Sequence, residues 1–354
     1  MGQPDTQAAS QPVATAGAGP GDRDRLKLLG MIHGYWISQV VRAAADLRLA
    51  DHLAAGPLTA AELAARESSN PDTTYRLMRA CAGIGLLALD EDGHFSVTPS
   101  GSLLRTGAPG SLRDTALVFG APAHWLPWGR LPEAVRAGQT QAAAVLGAGL
   151  FDYLASQPEE AAQFSASMAE ITATNATDVA QVIDTAGVSI AVDVGGATGE
   201  VVRELMRADG KLRGVVIDLP HTAAAANQAA AEDGLADRFA AVSGDFFAAV
   251  PGADLYLLKA ILHDWDDASC IRILRNCRTA ARPGARLMVI ENVILDPARD
   301  RFAALLDMNM LAVSTGQERE MAAYDELLTA AGWKRTAVHS LSGGRTLINA
   351  LTIG

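Results

Sequence analysis

Apolar positions in the second half of the chain switch between period two and the helical period, and that alternation predicts layered strands and helices. Ile190 to Val194 is a short apolar run followed by Gly195, Gly196 and Gly199, after which Val201, Val202, Leu205 and Met206 recur at helical spacing. Val215 to Ile217 reads as a buried parallel strand ending at Asp218. The pattern continues with a helix over Ala223 to Asp233 and strands over Phe239 to Val242 and Leu255 to Leu258. A helix over Ala268 to Ala280 leads to a strand over Leu287 to Ile290. After a helix over Met321 to Ala331, strands over Lys334 to Ser340 and Thr346 to Leu351 are joined by Ser342-Gly343-Gly344 as a hairpin. The expectation is an α/β sheet of five parallel strands closed by a terminal hairpin, with one strand antiparallel.

The first half reads differently. Residues 1–21, rich in Ala, Gly, Gln and Pro, have little to bury and predict a disordered tail. From Asp22 onward Leu26, Leu29, Ile32, Tyr35, Trp36, Val40, Val41, Ala44 and Leu47 form one long helical stripe, apolar enough to pack against another chain. Thr59-Ala-Ala-Glu62 is a capping box, and Asn70-Pro71 is an N-cap followed by a proline at the first helical position. Leu86 to Leu89 and His94 to Thr98 flank a turn and predict a hairpin. Two helices and a hairpin make a winged helix over residues 22–115. Residues 116–186, with prolines at 122, 127 and 132, read as a helical linker that concentrates aromatic residues. Residues 187–354 form the ligand-binding domain.

Composition narrows the function. A net charge of −11 argues against a nucleic-acid partner, so the winged helix reads as a dimerisation module rather than a DNA reader. Cys81, Cys270 and Cys277 stand at no metal-ligand spacing and read as buried thiols; no metal is expected. Neither a membrane-spanning run nor a signal peptide is read, which suits a cytoplasmic protein.

Candidate chemistry lies where strands end. Asp218 can accept from two vicinal ribose hydroxyls, but Ala197 and Glu200 stand where a dinucleotide fingerprint has its second and third glycines. From this stretch alone S-adenosylmethionine (SAM) and NAD both remain open. His263 leaves the strand over Leu255 to Leu258 and can serve as a general base, its ordinary pKa of about 6.5 leaving it mostly neutral at pH 7. Glu291 or Glu318 can hold one ring nitrogen, while Asp264, Asp266 and Asp267 read as N-cap and first-turn residues of the next helix.

The strings VDVGGATGE, VVIDLPH, SGDFF, LKAILHDWDD, RLMVIEN and GQER, in this order, resemble the bacterial small-molecule O-methyltransferases, which are similar to the plant caffeate-type enzymes. The resemblance spans Asp22 to Gly354. It implies a class I SAM-methyltransferase fold, a homodimer formed through the N-terminal region, and methylation of an aromatic hydroxyl, in actinobacteria often on a polyketide antibiotic. By the same resemblance Gly195 floors the SAM site, Asp218 with Leu219 holds the ribose, Asp245 takes the adenine amino group, and Phe246 and Lys259 lie near the cofactor. His263 is the base flanked by Glu291 and Glu318, and Phe164 and Met168 line the acceptor pocket. Ala197, in place of a frequent glycine, and Glu320, in place of a usual threonine, depart from the pattern. Some proteins resembling this family keep SAM yet catalyse hydroxylation, decarboxylation or ring closure, and that alternative stands beside methyl transfer.

Overall fold

The structure, a computed structural model, describes residues 20–173 and 176–353. The expected tail lies outside the described residues except for Pro20 and Gly21, which open a helix, Pro20–Ile32. The single long stripe is in fact broken at His33, and a second helix spans Gly34–Asp46. Ala44 and Ala45 anchor its end in the core, whereas Leu28, Met31 and Trp36 are 58%, 59% and 52% exposed. That much apolar surface on consecutive turns is what a partner chain would cover.

Helices Ala60–Glu67 and Pro71–Gly83 begin as their caps dictate. Thr59 Oγ1 accepts from the Glu62 N–H while the Glu62 carboxylate accepts from the Thr59 N–H, and Asn70 accepts from the N–H groups of Asp72 and Thr73. The hairpin follows as antiparallel strands β1 (Leu87–Leu89) and β2 (Phe95–Val97). Leu63, Met78, Cys81 and Phe95 fill the core between these elements. Short helices fill the connecting region. Glu170, on the helix Pro158–Ala173, accepts from the N–H groups of Asp114 and Thr115 and so caps the helix Arg113–Phe119.

The large sheet contains β3 (Ile190–Val194), β4 (Arg213–Asp218), β5 (Phe239–Ser243), β6 (Leu255–Lys259), β7 (Arg286–Glu291), β8 (Trp333–Ser340) and β9 (Thr346–Thr352) in the order β5-β4-β3-β6-β7-β9-β8. The first five run parallel; β9 is antiparallel to both β7 and β8. Alternate residues feed separate cores: Val192, Tyr256, Leu258, Leu287 and Val289 on one face, Ala191, Leu255, Leu257, Met288 and Ile290 on the other. Helices cover both faces, which explains the near-continuous apolar runs.

From β3 the chain winds outward to β4 and β5, then returns to β6 and winds the other way. The strand order therefore reverses between β3 and β6, and a crevice opens at their C-terminal ends. Besides the short helices Leu49–His52 and Pro99–Ser102, a longer helix is absent from the sequence reading. Arg301–Val313, N-capped by Asp300, packs on the helix Pro122–Trp128, where Trp128 Nε1 donates to Asn309 Oδ1 at 2.9 Å. Its apolar residues are spread around the axis, with Phe302 63% and Leu305 52% exposed, so no single stripe announces it.

Candidate active site

Every parallel strand of the crevice delivers a candidate residue at its C-terminal end. Gly195 follows β3 with φ +68°, and a Cβ there would meet Ile261 Cδ1 at 2.5 Å and Phe246 Cε1 at 3.5 Å. Only glycine fits that close passage. Ala197 holds φ +50° without a glycine's freedom. Its N–H donates to Asp218 Oδ2 at 2.8 Å, and the Leu219 N–H donates to Oδ1 at 2.6 Å. The Asp218 carboxylate, at the end of β4, is thus oriented by main chain on both oxygens and keeps lone pairs for a further donor. Beyond β5, Asp245 Oδ1 accepts from the Phe247 N–H at 2.8 Å, and Asn276 Nδ2 tethers the Phe246 carbonyl.

Lys259 ends β6, where burial, helped by the Arg345 guanidinium and opposed by Asp193 and Glu291, lowers its pKa to about 7. Beneath the glycine turn Asp193 is buried, and desolvation raises its carboxyl to about 7. The 3-10 turn Leu262–Asp264 comes next and carries His263. His263 Nδ1 lies 2.7 Å from Glu318 Oε1 and 3.8 Å from Glu291 Oε2; Nε2 lies 3.7 Å from Asp264 Oδ1. Glu318 is therefore the carboxylate that bonds the ring. Glu291, fully buried at the end of β7, turns one oxygen to the N–H groups of Ile261 and Leu262 and fixes the turn itself.

Two sequence expectations change here. Burial works against a charged His263, but Glu291, Asp264 and Glu318 outweigh it and push its pKa up to about 10, so the ring is an imidazolium at neutral pH. Asp264 is part of this cluster and not a helix cap; burial raises it to about 6, while Asp266 alone caps the helix Asp267–Ala280 through the Ser269 N–H. Glu291 is raised by burial. His263, Glu291 and Glu318 could offer three metal-ligand atoms within 4.8 Å of one another, but a hydrogen bond already joins His263 to Glu318.

Residues of the GQER string that carried no role in the sequence reading hold the base in place. Arg319, 2% exposed, donates from Nη1 to the Leu262 carbonyl at 2.9 Å and from Nη2 to the Trp265 carbonyl at 2.7 Å, gripping the turn on both sides of His263. Its other bonds reach Asp267 Oδ1 and the Gln317 carbonyl. A Cβ on Gly316 would stand 1.9 Å from the His263 carbonyl oxygen. Glu320 occupies the N-cap of the helix Met321–Ala330 without a side-chain cap bond, the position at which a threonine would make one.

Phe164 joins an aromatic run. Its ring lies 6.4 Å from Phe151, which stacks on Trp265 at 5.4 Å, and Trp265 meets Phe246 edge-on at 6.3 Å. Met168 is half-buried one turn further along the same helix. The run connects the adenine-side candidate Phe246 to the helical wall, passing two residues from His263.

Comparison with known proteins agrees with this architecture. The O-methyltransferase domain family matches residues 128–334, and the O-methyltransferase dimerisation domain matches residues 29–107. The phenazine O-methyltransferase PhzM of Lysobacter antibioticus is 35% identical over 327 residues, covering 92% of this chain and 96% of that protein. The solved structure of LaPhzM superposes with a TM-score of 0.90 at 34% identity, over 93% of this chain and 99% of that one. The O-methyltransferase NcsB1 of neocarzinostatin biosynthesis, solved with SAM and 2-hydroxy-5-methyl naphthoic acid, gives 0.78 at 33% identity over 90% and 96%. With both domains matched in order and relatives aligned over nearly their whole length, the chain belongs to the O-methyltransferase family.

Proposed function

We propose that the protein transfers a methyl group from SAM to a hydroxyl, phenolic in character, of an aromatic secondary metabolite, releasing S-adenosylhomocysteine. The observation that carries this reading is the His263–Glu318–Glu291 cluster at the sheet's switch point, beside the Asp218 carboxylate and the aromatic run. Relatives named for phenazine, 3-amino-4-hydroxybenzoate and dihydroxynaphthoate acceptors support the aromatic class. The reading divides the chain into a winged-helix dimerisation module over 22–115, a helical linker and pocket wall over 116–186, and a catalytic domain over 187–354. It makes the protein a homodimer through its exposed N-terminal helices. Among the described residues no helix is long and apolar enough to cross a membrane. Three buried free thiols suit a cytoplasmic setting.

The residues present fit SAM. Gly195 lets Ile261 and Phe246 close against the turn, Asp218 is oriented for a ribose diol, and Asp245 has an oxygen free of the Phe247 bond for an amino group. Bound SAM supplies an electrophilic methyl carbon on a sulfonium. His263 Nε2, the ring nitrogen not bonded to Glu318, takes the acceptor's proton, and Glu318 and Glu291 stabilise the imidazolium that results. The carboxylates that raise the imidazole's pKa also make it a stronger base toward a phenol. In the resting protein most of the base is already protonated at neutral pH, and a nearby cation lowers its pKa by like-charge repulsion.

A pH profile follows with a definite sign. Because the base works only when neutral, kcat/KM rises with pH toward about 10 in the free enzyme. Glu318→Gln removes an anion that stabilises the imidazolium, so its rise moves to lower pH and its plateau falls. An unmoved midpoint in that variant removes Glu318 from the base's environment.

Calorimetry of SAM and S-adenosylhomocysteine, beside assays of methyl gain on a panel of phenols, tests the function. We expect one site per chain and a Kd about tenfold weaker or more in Asp218→Ala, the loss of a charge-assisted hydrogen bond. Oxygen incorporation or decarboxylation without S-adenosylhomocysteine formation would overturn methyl transfer as the reaction.

A further inference from the structure

The aromatic run does not stop at Phe164. His124, on the helix Pro122–Trp128, stacks against Phe164 at 6.0 Å and 22°, and the tilted ring of Phe119 lies 5.0 Å from it. The five rings Phe119, His124, Phe164, Phe151 and Trp265 therefore form one sequence of contacts, ending two residues from the base. His124 is the titratable member of that sequence. It is 4% exposed, and its Nδ1 is sealed from solvent with no hydrogen-bond partner.

Such a group needs a cause. An unpaired buried donor or acceptor is destabilising, and a phenylalanine or leucine would fill the same space without that cost. The imidazole is also held still. Glu160 Oε1 accepts from the Ala123 N–H at 2.9 Å, and Trp128 on the same helix is bonded to Asn309. Burial lowers the His124 pKa to about 4, leaving a neutral ring that offers one N–H donor and one nitrogen acceptor. A neutral ring between aromatic neighbours suits an uncharged oxygen better than a carboxylate, which would need a paired cation on burial.

We propose that His124 is a specificity-determining residue that hydrogen-bonds a second oxygen substituent, a hydroxyl or carbonyl, on the aromatic acceptor, at the end of the pocket remote from His263. The proposal rests on the aromatic-acceptor reading given above and adds that the acceptor carries at least two oxygens on a planar ring system. Discrimination of this kind is strong because an acceptor without the second oxygen leaves the buried nitrogen unpaired.

The test is calorimetric binding of a naphthol and of the isomeric dihydroxynaphthalenes to the full chain loaded with S-adenosylhomocysteine, which needs no turnover. In the wild-type protein at least one dihydroxynaphthalene binds about tenfold tighter than the naphthol. In His124→Phe that preference disappears while naphthol binding holds or tightens, S-adenosylhomocysteine affinity is unchanged, and His124→Gln recovers part of the preference. His124→Leu replaces the phenylalanine variant if melting shows that variant unfolded. The proposal is overturned if the preference persists without the imidazole, if both compounds lose affinity equally, or if neither binds the wild-type protein. Selective binding without methyl gain from SAM would instead overturn the methyltransferase reading and leave the role of His124 intact.

Discussion

Replacing His263 by alanine lowers methyl-transfer turnover by about a hundredfold or more, within the usual range for loss of a general base, while S-adenosylhomocysteine affinity is retained. The ring is the one group of the cluster with a nitrogen, Nε2, turned away from its Glu318 partner, whereas the cofactor candidates Asp218 and Asp245 lie on other strand ends and are oriented by their own main-chain bonds. The substitution also leaves Glu291 and Glu318 buried without their cation, and breaking a buried pair costs about 3–5 kcal/mol. Melting temperature is measured in parallel for that reason, with His263→Gln as a variant that keeps a polar group. Folded protein that binds S-adenosylhomocysteine yet turns over within about threefold of the wild type would leave proximity, not proton removal, as the source of the rate.

Gly316→Ala produces a comparable loss from a residue that touches no substrate. Its new methyl would meet the His263 carbonyl oxygen at 1.9 Å and the Asp264 carbonyl carbon at 2.4 Å, backbone atoms of a turn that Arg319 and Glu291 fix at Ile261, Leu262 and Trp265. The turn must move. Overpacking of this kind costs about 1–3 kcal/mol, and an ångström of displacement at a reacting group costs roughly a hundredfold in rate. The expected result is a fall in kcat with KM for SAM little changed and a lowered melting temperature. Full activity in that variant would show that the base tolerates displacement and that the turn is not built for precision.

Much of the sheet was legible because its strands are buried on both faces and bounded by glycine or acidic residues, as at Val194-Gly195, Ile217-Asp218 and Ile290-Glu291. The capping box at Thr59 and the cap at Asn70 were equally plain, since a cap is a contact between near neighbours. The helix Arg301–Val313 was not legible: it buries Ala303, Met310 and Ala312 against one set of neighbours and leaves Phe302 and Leu305 outside, so hydrophobicity marks no face.

The sequence by itself determined the order of elements, the placing of Asp218, His263 and Glu291 at strand ends, and the family resemblance of the chain. Tertiary structure alone decided how those residues act on one another. That Glu318 and not Glu291 bonds His263, and that both join Asp264 in raising the imidazole to about 10, depend on through-space distances between segments remote in the chain, while Asp264 joins the cluster instead of capping a helix because it folds into the same turn as its neighbour His263. The grip of Arg319 and the unpaired nitrogen of His124 belong to the same class. Hydrophobic period and local caps are written in neighbouring residues, whereas electrostatic coupling and polar satisfaction depend on burial and packing that arise only when the whole chain has closed.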